Sequence, residues 1–192
     1  MLKDEIMGGN HNKQHMSEAF LYVVKKLIDD KNVAVLLGTL DLFAMGMKKL
    51  RPPPGNPYLG LVEFILEKMN DYLGHTNEKA RKVCEDIYVS LPTYPLSNKD
   101  VCYNALTIIG KRDKPPKILV GRLNALETIV GNFQLGKNYE GVIKFATKYA
   151  DDKNSEVRNA AINLICTISN EIGYASMQPF LKNLRPQILN SV

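Results

Sequence analysis

Asp151-Asp152-Lys153-Asn154-Ser155-Glu156-Val157-Arg158-Asn159-Ala160-Ala161 is the stretch that decides how the chain is read. Four polar residues break one apolar pattern, and another begins at once. Val157, Ala161, Leu164, Ile165, Ile168 and Ile172 recur every three or four positions, so they share one face of a helix over about 155–172. Upstream, residues 139–150 carry the same period. The break therefore joins two amphipathic helices by a short turn. One such pair cannot bury both of its apolar faces alone.

The same unit recurs toward the N-terminus. Leu119, Leu123, Leu126, Val130 and Phe133 are spaced 4, 3, 4 and 3, which predicts a helix over about 117–133. Its partner runs over about 98–110, with Val101, Cys102, Ala105, Ile108 and Ile109 inward, and residues 111–117 connect the two. Before these, 58–73 and 78–91 form a pair across Gly74-His75-Thr76-Asn77, a helix-stopping glycine followed by capping residues. The first pair is 16–28, with Ala19, Phe20, Val24, Leu27 and Ile28 inward, and 33–50, joined by Asp29-Asp30-Lys31-Asn32. The proline-rich run 51–57 ends it, because proline lacks the N–H donor and restricts its predecessor. A last helix is expected over about 175–189. The second helices start near 33, 78, 117 and 155, so the pairs repeat at 45, 39 and 38 residues. Two-helix repeats of roughly 40–47 residues are the HEAT and armadillo period, whereas tetratricopeptide units repeat at about 34. The expected fold is all-α: a solenoid of about four helix pairs plus a C-terminal helix over 16–192, after a flexible segment 1–15 that holds Gly8-Gly9.

Composition narrows the function. Apolar residues make up 45% of the chain, enough for a packed core. The net charge of +5 favours an acidic partner without naming it. With 25 basic against 20 acidic residues, the excess is small for a nucleic-acid binder, and no nucleic acid is expected as partner. No apolar run approaches the roughly 20 residues that cross a bilayer, and no membrane partner is expected. Cys84, Cys102 and Cys166 are odd in number and sit in apolar helical patterns. They read as buried thiols in a reducing cytosol, not as a disulfide framework. The start of the chain does not read as a signal peptide.

Candidate chemistry is sparse. Residues 131–138, Gly-Asn-Phe-Gln-Leu-Gly-Lys-Asn, approach a phosphate-binding loop, but Asn138 stands where a magnesium-binding hydroxyl belongs and a helix precedes it instead of a strand. His11 and His15 are four apart with no third ligand in view, and His75 reads as a lone, solvated loop residue. The cysteines lack Cys-x-x-Cys spacing, and the methionines mostly fit the inward stripes. No nucleophile, base and orienting group stand in a catalytic order. The expectation is a binding module with no cofactor and no metal, and not an enzyme.

The quoted stretch resembles the HEAT hallmark: an acidic residue, a short turn, Val157-Arg158, then Ala161 on the second helix. Asn77-Glu78-Lys79-Ala80-Arg81-Lys82-Val83 is a looser copy. Within HEAT arrays the chain resembles a TOG domain, and among these the TOG domain of the centrosomal protein of 104 kDa family. Ala19-Phe20-Leu21 through Leu40-Asp41-Leu42 is similar to its second repeat. Leu123-Asn124-Ala125-Leu126 is similar to its fourth, and Val142-Ile143-Lys144-Phe145-Ala146 with Glu156-Val157-Arg158 to its fifth. The resemblance implies αβ-tubulin as partner, with other cytoskeletal or ciliary proteins beside it. It implies a place in the cytoplasm and cytoskeleton, at the centriole, basal body or ciliary tip. It also implies that the turns within helix pairs carry the contacts: Lys31, Asn32, His75, Lys111, Arg112, Lys114, Lys117, Lys153 and Asn154. Arg81 and Arg158 are expected to brace a neighbouring repeat through an acidic residue or loop carbonyls. One departure stands out: such domains usually carry a Trp or another bulky residue on the first of these turns, and this chain has no Trp. The alternative is a HEAT scaffold that binds another protein and not tubulin.

Overall fold

The computed structural model describes residues 13–50, 58–94, 99–108, 115–136, 139–182 and 184–189. The helices are α1 (Lys13–Leu27), α2 (Val33–Lys49), α3 (Leu59–Tyr72), α4 (Glu78–Ser90), α5 (Lys99–Thr107), α6 (Pro116–Phe133), α7 (Tyr139–Tyr149), α8 (Ser155–Ile172), α9 (Tyr174–Leu181) and α10 (Pro186–Leu189). A 3-10 turn, Leu91–Thr93, follows α4. Among the described residues there is no strand, and none of their helices is long and apolar enough to cross a membrane.

The helices form two layers. The first helices of each pair stack in the order α1, α3, α5, α7, α9, and the second helices in the order α2, α4, α6, α8. In the first four pairs the first helix also packs on its own partner, so apolar faces are covered both from the side and from across. Large side chains fill the space between the layers, among them Phe20, Phe43, Tyr88, Tyr103 and Phe145. Phe20 and Phe43 stack with ring centroids 6.3 Å apart. A Cβ on Gly46 would lie 2.3 Å from the Phe20 ring, so this glycine is what lets α1 and α2 approach.

Two details depart from the periodicity. The last helix is two pieces, α9 and α10, because Pro186 cannot donate into a preceding turn and starts a helix of its own. Ala19, Leu27 and Ile108 are exposed although their spacing puts them inward. Ala19 and Leu27 lie at the flank of the α1 stripe, and Ile108 follows the end of α5 at Thr107. Ile109 and the segment 109–114 lie outside the described residues.

Candidate partner-binding edge

Three of the turns inside helix pairs are built on one plan. In each, a residue donates its N–H to the carbonyl three positions back: Asp30 to Leu27, His75 to Tyr72 and Asp152 to Tyr149, all at 3.1 Å. The side chain of that residue then accepts the N–H of the asparagine two positions on. Asp30 Oδ1 lies 2.7 Å from Asn32 N, His75 Nδ1 3.1 Å from Asn77 N, and Asp152 Oδ1 2.8 Å from Asn154 N. Each asparagine is extended, with φ between −75° and −79°, and caps the next helix. Asn32 Oδ1 accepts from Ala34 N–H at 2.9 Å, Asn77 Oδ1 from Ala80 at 3.1 Å, and Asn154 Oδ1 from Glu156 at 2.9 Å and Val157 at 3.2 Å. An asparagine oxygen at this position satisfies N–H groups that the helix leaves without partners.

The residue between the two bonded positions is left at the tip: Lys31, Thr76 and Lys153, all exposed. Asp29-Asp30-Lys31-Asn32 and Asp151-Asp152-Lys153-Asn154 are the same tetrapeptide, an identity that the periodicity does not reveal because it lies in the breaks. In both, the first aspartate is paired with a cation from a neighbouring element. Lys68 Nζ on α3 lies 2.7 Å from Asp29 Oδ2, and Arg185 Nε, between α9 and α10, lies 2.8 Å from Asp151 Oδ2.

The turns follow one another along a single edge. Tyr72, at the end of α3, donates its hydroxyl to the Ile28 carbonyl and ties the first turn to the second. Burial, and then the charge of Asp29, push this phenol up to about 12, so it stays protonated and keeps donating. A Cβ on Gly74 would lie 2.5 Å from Ile118 Cγ1, and a Cβ on Gly121 2.6 Å from the Leu73 carbonyl oxygen. The second turn is therefore seated against the start of α6. Pro116 and Leu119 share a cleft with Tyr149, Asp152, Lys153 and Asn154, which brings the start of α6 to the fourth turn. Lys117 is exposed at that junction.

The proposed contact residues thus divide. Lys31, Lys117 and Lys153 are exposed along the edge. Asn32 and Asn154 have their oxygens engaged as caps. His75 is half-buried, accepts a backbone N–H and meets Tyr72 edge-on at 5.8 Å, so it shapes the turn and is not the solvated residue expected. Lys111, Arg112 and Lys114 lie outside the described residues, as do His11, Lys137 and Asn138. Arg81 and Arg158 do bond to turn carbonyls, but those of their own turns. Arg81 Nη1 reaches the His75 carbonyl at 2.6 Å and Arg158 Nη1 the Asp152 carbonyl at 2.8 Å.

Behind the edge lies a polar cluster that the sequence pattern does not announce. Arg122, only 2% exposed, donates from Nε to the Leu106 carbonyl at 2.7 Å and from Nη2 to the Ile108 carbonyl at 2.6 Å. Its guanidinium lies 4.7 Å from the centroid of the Phe145 ring. Burial lowers its pKa from the usual value, yet guanidinium remains charged. Asn70 Nδ2 donates to the Ala105 carbonyl at 2.8 Å, and the Tyr88 hydroxyl sits 2.8 Å from Asn70 Oδ1. Together they hold the C-terminal carbonyls of α5, where a cation also complements the helix dipole. Among the described residues no group of His, Cys, Asp and Glu is placed to hold a metal ion.

The sequence model of the family described as XMAP215/Dis1/CLASP, TOG domain, matches residues 9–191. Among solved structures, Drosophila melanogaster Mini spindles TOG3 superposes with a TM-score of 0.80 at 18% identity, over 99% of this chain and 81% of that one. A structure described under tubulin recruitment and assembly by microtubule polymerases with TOG domain arrays gives 0.74 at 14% identity, over 99% of this chain and 42% of that one. A structure described under Crescerin's use of a TOG domain array to regulate microtubules in the primary cilium gives 0.72 at 14% identity, over 95% of this chain and 77% of that one. At these identities the likeness is one of fold. No curated protein matches the sequence closely enough to count as a relative. The paired helices, the ledge of turns and the family match over nearly the whole chain lead to one statement: the chain belongs to the XMAP215/Dis1/CLASP TOG-domain family.

Proposed function

We propose that this domain binds αβ-tubulin through the edge of intra-pair turns and acts by binding alone. The carrying observation is the row of exposed lysines along one side: Lys31 and Lys153 on the first and fourth turns, and Lys117 at the start of α6, which meets the second and fourth turns. Stacked helix pairs advance by roughly 10 Å each, so Lys31 on the first pair and Lys153 on the fourth are on the order of 30 Å apart. A partner meeting both must be broad and acidic there, which suits a tubulin surface. Membership of the TOG family supports the reading, as does the described tubulin recruitment by one structural neighbour. Lys111, Arg112 and Lys114 belong to the same proposed surface by sequence position, and Asn32, His75 and Asn154 by supporting the turns. Preference for one shape of tubulin over another would then set where the domain acts.

The finer placement at a centriole, basal body or ciliary tip rests on the resemblance to the centrosomal protein of 104 kDa family, and on the likeness to Crescerin. Imaging of a tagged chain tests it: enrichment at ciliary tips or basal bodies is expected, and an even spread along cytoplasmic microtubules would overturn it.

The binding test is gel filtration with purified αβ-tubulin at low salt. Wild type co-elutes; the triple variant Lys31→Glu, Lys117→Glu, Lys153→Glu does not. Undiminished co-elution of a folded triple variant would sink the edge assignment. A second reading, a scaffold that takes a peptide on its helical face, has one observation in its favour: a groove between α3 and α5 lined by Gly60, Glu63, Phe64, Glu67 and the exposed Ile108. It predicts partner binding that survives reversal of the edge and is lost on Ile108→Glu.

A further inference from the structure

The two end turns pose a problem for an acidic partner, because Asp-Asp-Lys-Asn carries two carboxylates and one ammonium. Each would repel a negative surface if left as the sequence writes it. The fold answers in the same way twice. The second aspartate accepts the asparagine N–H, and the first is tied to a cation from outside the turn. The cations are of different kind and origin: Lys68 comes from the helix that follows the first pair, and Arg185 from the segment beyond α9. Exposed ion pairs of this kind add little to stability, so folding alone does not account for the same arrangement at both ends.

We propose that Lys68 and Arg185 are masking residues: each holds down the first aspartate of its turn, so that Lys31 or Lys153 meets an acidic surface without a competing carboxylate. Each turn with its mask is neutral overall, and its lysine is exposed between the two bonded positions. The inference rests on the tubulin-edge reading for its biological partner, but the electrostatic claim stands on the turns themselves. Lys68 is a positioning residue in this scheme, not a contact: its ammonium also lies 5.7 Å from the centroid of the Phe64 ring, on the body of the first layer.

The test is the association rate with αβ-tubulin at low salt for Lys68→Met, Arg185→Met and the double variants Asp29→Asn/Lys68→Met and Asp151→Asn/Arg185→Met. Methionine keeps the apolar stem, and thermal melts confirm that each variant is folded. Each single substitution is expected to slow association roughly two- to threefold by freeing a carboxylate beside the tip. Each double variant is expected to regain the wild-type rate, since the carboxylate has gone with its mask. Single variants at the wild-type rate, or doubles as slow as the singles, overturn the proposal; the latter would make Lys68 and Arg185 direct contacts. A deca-glutamate peptide, titrated while the backbone amides of Lys31 and Lys153 are followed by NMR, separates the two ideas. The same order of variants with this probe, combined with a wild-type chain that ignores tubulin, upholds masking and defeats the tubulin reading. No response of the two amides to the peptide overturns masking.

Discussion

The ends of the edge and its middle are held by different physics. The first and fourth turns repeat one tetrapeptide, and their shape follows from bonds within a few residues: Asp30 to Asn32, Asn32 to Ala34, and the same again from Asp152 to Val157. The middle has no such local code. There the second turn sits on α6 because Gly74 and Gly121 leave room, and the end of α5 is held by Asn70 and Arg122 from two other helices. Local chemistry makes a contact point that can be copied from one pair to another. Long-range chemistry fixes where the copies stand relative to each other.

This difference is open to breaking. The largest effect is expected in the middle. Arg122→Met strips the Leu106 and Ile108 carbonyls of their buried donor and should cost about 3 kcal/mol, lowering the melting temperature by on the order of 10 °C. Thermal unfolding by circular dichroism measures it; a shift no larger than that of a surface substitution would remove the cluster from the account. Gly121→Val comes next. Its Cβ would meet the Leu73 carbonyl oxygen at 2.6 Å, which predicts a loss of about 2 kcal/mol in urea unfolding. The ends should respond less. Asn32→Ala and Asn154→Ala each remove a cap worth roughly 1 kcal/mol, with the larger loss at Asn154, whose oxygen accepts two N–H groups against one at Asn32. A larger loss at Asn32 would contradict that difference in capping. A last effect is confined to high pH. The ordinary tyrosine value is 10 and that of Tyr72 in the fold is about 12, so its neutral form is favoured by folding. That contribution is complete below pH 10 and is lost as pH rises toward 12. The stability difference between wild type and Tyr72→Phe should therefore shrink across this window; a constant difference would contradict the upward shift that burial and Asp29 give this phenol.

The same contrast explains what the sequence discloses. Helix pairs and their period are legible because burial on one face imposes a spacing of three and four, as in Leu119, Leu123, Leu126 and Val130. Turn positions follow from the breaks, so Lys31 and Lys153 are found at tips where expected. The role of Asn32 and Asn154 is less legible, since one polar side chain serves equally well as cap or as contact until its oxygen is seen bonded. His75 misleads for the opposite reason: a lone loop histidine looks solvated, but it takes the place that aspartate holds in the other two turns. Arg122 escapes notice because it interrupts an apolar stripe with a charge whose partners, the carbonyls of Leu106 and Ile108, have no side-chain signature. Lys68 and Arg185 are invisible as masks for the same reason that any long-range ion pair is: nothing in 68 or 185 points to 29 or 151.

The most direct test of the edge is zero-length carbodiimide coupling of the domain to αβ-tubulin, with the linked lysines read by mass spectrometry. Coupling is expected at Lys31, Lys117 and Lys153, with little at the exposed lysines Lys48, Lys49 and Lys144 on helical faces away from those turns. Links spread evenly over both sets, or gathered on the helical faces, would contradict the central claim that the row of turns is where tubulin is met.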